Sequence, residues 1–150
     1  MRAAASFTAL AALCCGSLAA ANGGDAIGSG PYVQPDRWTH GNDSRAFAGS
    51  HTQYWRLRLA ENDRVTVVWR EGRHVKLTLV IYPGGTTDDP FNSLPRPIAV
   101  SAPRTGKGGR LAFTARTRGV WPIAFLTPEA FENLRRPGAY RFVVQLKHAP

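Results

Sequence analysis

Basic side chains supply most of the chemistry this chain could perform. Arg56 and Arg58 lie two residues apart, Arg116 and Arg118 repeat that spacing, and Arg104, Lys107 and Arg110 fall in or beside a stretch rich in glycine and proline. Guanidinium and ammonium groups gathered in this way bind carboxylate, phosphate or sulfate groups and attract polyanions over a distance. Tyr54 and Tyr82, with Trp38, offer flat rings suited to the apolar face of a sugar. The plainer alternative is a set of solvated arginines, with the aromatics packed under loops.

Catalytic and metal-binding patterns are not found. His40, His51, His74 and His148 stand at turn edges or in loops, and no pair has a metal-ligand spacing on one element. No serine occupies a Gly-x-Ser-x-Gly elbow, and Thr105-Gly106-Lys107-Gly108-Gly109 lacks the Walker spacing, so no nucleotide site is expected. Asp88-Asp89 could offer clustered oxygens to calcium, or could simply form a solvated turn. The expectation is a protein with no cofactor, no metal and no enzymatic activity.

The first residues read as an export signal. Met1-Arg2 is followed by the apolar run Ala3 to Leu13 and by the small residues Ala19-Ala20-Ala21, which places cleavage before Asn22 and makes 1–21 a signal peptide. The strongly apolar part is too short and too alanine-rich to span a bilayer comfortably, and Gly16 and Ser17 interrupt the segment beyond it. Cys15 is preceded by Ala12-Leu13-Cys14, a poor match to a lipoprotein signal. With Cys14 and Cys15 removed the mature chain has no thiol, so disulfides and cysteine chemistry drop out together. The formal charge of +9 becomes +8 once Arg2 is lost, an excess that favours anionic partners. The expected location is periplasmic or secreted.

These residues must be positioned by strands. From Gln53 to Tyr82 apolar side chains recur at every second position: Trp55, Leu57 and Leu59, then Val65, Val67 and Trp69, then Val75, Leu77, Leu79 and Ile81. The polar breaks Ala60-Glu61-Asn62-Asp63 and Glu71-Gly72-Arg73 have hairpin length, which predicts an antiparallel meander of three strands. Arg56 and Arg58 then face away from the core with Tyr54. Lys76 and Thr78 share an outward face with Val80 and Tyr82, a mixed face open to partial cover.

Before this core, 22–50 reads as a flexible leader and an irregular segment with room for one edge strand, and 51–150 as the folded domain. After Tyr82 a long loop runs to Gly109, with a short edge strand at Ile98 to Ser101. Leu111, Phe113 and Ala115, then Trp121, Ile123 and Phe125, resume the alternation. Thr127-Pro128-Glu129 predicts a short helix to Leu134, docked through Phe131, before a last strand carrying Tyr140, Phe142, Val144 and Leu146 inward and Arg141 and Gln145 outward. The fold expected is all-β, an antiparallel β-sandwich of jelly-roll type with one short helix before the last strand.

Tyr54-Trp55-Arg56-Leu57-Arg58-Leu59, Glu61-Asn62-Asp63-Arg64-Val65, Leu77 to Gly84, Leu111 to Ala115 and Gly138 to Val144 together resemble the bacterial pre-peptidase C-terminal domain. The resemblance covers roughly His51 to Leu146 and implies a secreted β-sandwich that accompanies a catalytic domain and helps with targeting or substrate binding. Two positions depart from that family: Asn62 stands where it commonly has glycine, and Gly119-Val120-Trp121-Pro122 replaces its Gly-aromatic pair.

Three functions are open at this point. The first is an exported, non-catalytic module that binds an anionic polymer or a glycan of the envelope or its surroundings. The second is an interaction subunit or chaperone-like partner of another exported protein, docking through a sheet edge or the Phe131 region. The last is a small hydrolase with an unfamiliar site.

Overall fold

Alternate side chains from Gln53 to Leu59 and from Val65 to Trp69 are almost completely buried in a computed structural model, which describes residues 26–42, 52–72, 77–87, 95–101, 107–126 and 139–150. The described residues form eight strands: β1 (Trp38–Asn42), β2 (Thr52–Leu59), β3 (Arg64–Glu71), β4 (Thr78–Ile81), β5 (Ala99–Val100), β6 (Gly109–Thr114), β7 (Gly119–Leu126) and β8 (Ala139–Lys147). They form two four-stranded antiparallel sheets, ordered β1-β8-β3-β6 and β2-β7-β4-β5. Eight strands divided in this way make a jelly roll. Among the described residues there is no helix, and the helix expected at 127–134 lies outside them.

The predicted meander is not what forms. β2 and β4 belong to one sheet and β3 to the other, so these consecutive strands are not hairpin partners, and the chain passes from one sheet to the other after β2 and again after β3. The period of two survives because both sheets turn alternate side chains toward the same core. Local hydrogen bonds explain why the first break crosses. Asn62 adopts a left-handed φ of 66°, and the Asp63 carboxylate accepts a hydrogen bond from Ala60 N at 2.7 Å. Asn62 N donates to Ala115 O at 2.6 Å and Ala115 N to Asp63 O at 2.9 Å, which stitches this crossing to the β6–β7 crossing beside it. Asparagine tolerates the left-handed conformation better than most residues, so Asn62 serves where the resembled family carries glycine.

Between the sheets lie Trp55, Trp69, Trp121, Phe125 and Phe142 with a bed of leucine, isoleucine and valine. Phe142 meets Trp55 edge-on at 5.0 Å and Phe125 at 4.9 Å between ring centres. Each such side chain contributes about 1.5–3 kcal/mol on burial. One polar chain runs through this core: Trp55 Nε1 donates to the Tyr140 hydroxyl, which donates to Gln53 Oε1. The neighbouring Gln53 Nε2 is buried without a hydrogen-bond partner among the described residues.

Residues 26–33 are packed against the sandwich, in the region expected to be a leader. Val33 joins the main core, and Ile27 covers Val80, Tyr82 and Ala124 on the outer face of β2-β7-β4-β5. Val33 N donates to Arg56 O and Arg56 N to Pro31 O, so this strap pairs with the exposed edge of β2. Covering an edge in this way removes a template for unwanted pairing. Gly30 makes the approach possible, because a Cβ there would overlap the Tyr54 carbonyl.

Candidate functional site

Strand pairing assembles the basic residues into an arrangement different from the one their order along the chain implies. On the outer face of β1-β8-β3-β6, one cross-strand row is His40, Arg141 and Arg70. The next is Trp38, Val143, Val68 and Arg110, and a third is Gln145, Thr66 and Ala112. Lys147, Arg64 and Thr114 complete the face. Arg64, Arg70, Arg110, Arg141 and Lys147 are all exposed, and none of the described residues in these rows is acidic.

Two of the pairs are electrostatically unfavourable. Arg70 lies directly opposite Arg141, and Arg64 directly opposite Lys147. Like charges facing each other across an antiparallel pair destabilise a sheet. Trp38 offsets part of this at one end, because the Arg141 and Arg70 guanidinium groups lie 5.0 and 5.6 Å from the centre of its ring. The negative face of an indole attracts both cations.

Beside this pair is a pocket of about 360 Å³ lined by His40, Arg70, Glu71, Gly72, Lys107, Tyr140 and Arg141. The one carboxylate among its described lining residues, Glu71, is already engaged: Oε1 accepts from Leu77 N at 3.0 Å and from Trp69 Nε1 at 3.4 Å. Gly108, at a left-handed φ of 98°, packs so tightly on the Trp69 carbonyl that no side chain fits, and this sets Lys107 at the rim. At the other end of the face a hollow of about 690 Å³ is lined by Asn62, Arg64, Thr114, Lys147, His148 and the chain end. There His148 Nδ1 is 2.9 Å from Asp63 Oδ1, tying the last residues to the β2–β3 crossing.

The residues singled out from sequence are dispersed. Arg56 and Arg58 stack over Tyr32, at 4.1 and 4.5 Å from its ring centre, and Arg56 Nε donates to Gly30 O. They anchor the strap on the opposite sheet. Tyr82 is buried beneath Ile27, and burial raises its pKa; Tyr54 is half-buried against the same cluster. Neither presents an open ring to a sugar. Arg116 and Arg118 are exposed in the β6–β7 crossing, while Lys107 and Arg110 join the cationic face. Arg104, Asp88, Asp89 and Phe131 lie outside the described residues. The sequence reading missed Arg64, Arg70, Arg141 and Lys147 as site residues. Their outward parity was visible, but their adjacency rests on the pairing of β3 with β8.

Among the described residues no group of three or more His, Cys, Asp or Glu is placed to hold a metal ion. Nor is any helix among them long and apolar enough to cross a membrane.

No family model and no curated protein matches the chain. Solved structures do. The pre-peptidase C-terminal domain of a collagenase from Bacillus anthracis is 13% identical, with a TM-score of 0.53, over 77% of this chain and 93% of that one. PliG of Aeromonas hydrophila, a periplasmic lysozyme inhibitor of g-type lysozyme, is also 13% identical, with a TM-score of 0.56, over 77% of this chain and 94% of that one. At this identity the likeness is one of fold, and it agrees with the family resemblance drawn from the strand pattern.

Proposed function

We propose that this chain is an exported, non-catalytic binding module whose β1-β8-β3-β6 face engages an anionic polymer or anionic glycan of the cell envelope or its surroundings. The observation that carries this reading is the pair of like-charge cross-strand contacts, Arg70 with Arg141 and Arg64 with Lys147. Such contacts cost stability and become favourable when an anion lies across them. The apolar, alanine-rich leader supports export, as does the periplasmic neighbour of similar fold. The test is retention of the mature protein on an immobilised polyanion across a salt gradient. Retention that weakens steeply with salt supports the reading, and passage without retention at low salt refutes it.

A second reading is a partner for another exported protein. It is favoured by the exposed apolar side chains Ile98 and Val100 at the β5 edge, 45% and 55% accessible, and by the fold neighbour that inhibits a lysozyme. Crosslinking in the periplasm that recovers one protein partner through β5 would favour this reading over the first.

A further inference from the structure

The pocket at the Trp38 end of the cationic face is more specific than a diffuse positive surface. We infer that Arg70 and Arg141, gathered on the Trp38 ring, with His40 and Lys107 at the rim, bind a single tetrahedral oxyanion ester, a phosphate or sulfate substituent of the polymer. This inference rests on the reading of the face given above.

Donor geometry carries it. One guanidinium fork satisfies one edge of a planar carboxylate with two parallel hydrogen bonds, and the lone pairs that remain lie in that same plane, which suits donors from several strands poorly. A phosphate or sulfate ester presents three terminal oxygens in three directions, which suits donors on different strands. Arg141 comes from β8, Arg70 from β3, His40 from β1, and Lys107 from the approach to β6. Both guanidinium groups lie within 6 Å of one indole, so part of their freedom is already lost before a ligand arrives. The Glu71 carboxylate, also at the pocket wall, is held by Trp69 Nε1 and Leu77 N.

Size and surroundings agree. About 360 Å³ accommodates the ester and part of an adjoining sugar or glycerol unit. Trp38, which adjoins the pocket through Arg70 and Arg141 without lining it, is 42% exposed, leaving ring surface against which a unit extending from the pocket can lie. The far end of the face, at Arg64 and Lys147, has no Trp, Tyr or Phe among its described lining residues and supplies attraction without this geometry.

The test is a titration of the mature protein, followed by amide shifts, with glycerol 3-phosphate, a monosulfated disaccharide and glucuronate as separate probes. One or both esters should saturate, with shifts centred on Arg70, Lys107 and Arg141, and glucuronate should bind about tenfold more weakly. Whichever ester binds more tightly identifies the source of the group. Arg141→Gln should weaken ester binding by about tenfold, and Arg64→Gln by less than about twofold. Trp38→Leu, which removes a positioning residue, should raise the ester Kd while leaving retention on a long polyanion nearly unchanged. Equal binding of ester and glucuronate, or equal effects of Arg141→Gln and Arg64→Gln, would overturn the pocket even if polyanion retention persists. Loss of polyanion retention alone, with saturable ester binding intact, would instead refute the wider reading of the face.

Discussion

Trp55 Nε1, on one sheet, donates to the Tyr140 hydroxyl, on the other, at 3.1 Å. This bond and its continuation to Gln53 Oε1 are a polar tie between two apolar layers. Tyr140→Phe leaves both partners buried without that hydroxyl. The expected loss is about 1–3 kcal/mol, measured by urea unfolding with an unchanged m-value.

The same hydroxyl sets an alkaline limit. Burial raises the Tyr140 pKa well above its ordinary value, the bond from Trp55 opposing this only in part, and burial raises that of Tyr82 as well. Above about pH 10 the unfolded chain ionises these tyrosines while the folded chain holds them protonated. The unfolded state therefore binds fewer protons and stability falls as pH rises. Tyr140→Phe should make the decline above that pH shallower while starting from a lower stability.

The strap over β2 depends on one close approach. Gly30→Ala forces a Cβ into the Tyr54 carbonyl and should cost about 1–3 kcal/mol, as overpacking does. Hydrogen exchange would show the Val33 and Arg56 amides, which pair the strap to β2, losing protection before the core does.

The β2–β3 crossing depends on Asp63, whose buried carboxylate accepts from Ala60 N and meets His148. Asp63→Ala should destabilise by about 1.5–3 kcal/mol, the range for hydrogen bonds to a charged group, read as a lowered denaturation midpoint.

Much of the sandwich was legible because burial in a β-layer imposes a period of two. Trp55, Leu57 and Leu59, Val65, Val67 and Trp69, and Tyr140, Phe142 and Val144 all turn inward as their spacing predicts. The sheet to which each strand belongs was not legible. A break such as 60–63 reads the same whether it closes a hairpin or crosses the sandwich; Asn62 and Asp63 decide it through contacts with Ala115, more than fifty residues away. The cationic face was hidden for the same reason, since Arg70 and Arg141 become neighbours only through the β3–β8 register. Arg56 and Arg58 showed the opposite fault. Their spacing marked an outward face correctly, but Tyr32 and Gly30, far earlier in the chain, occupy them.

The most direct measurement compares polyanion affinity for two double variants at equal net charge, Arg70→Gln with Arg141→Gln against Arg56→Gln with Arg58→Gln, in low and high salt. Loss of about tenfold or more in the first, little change in the second, and convergence of both in high salt is the predicted result. Equal losses in the two variants would mean that total charge alone drives binding, and would contradict a binding face on β1-β8-β3-β6.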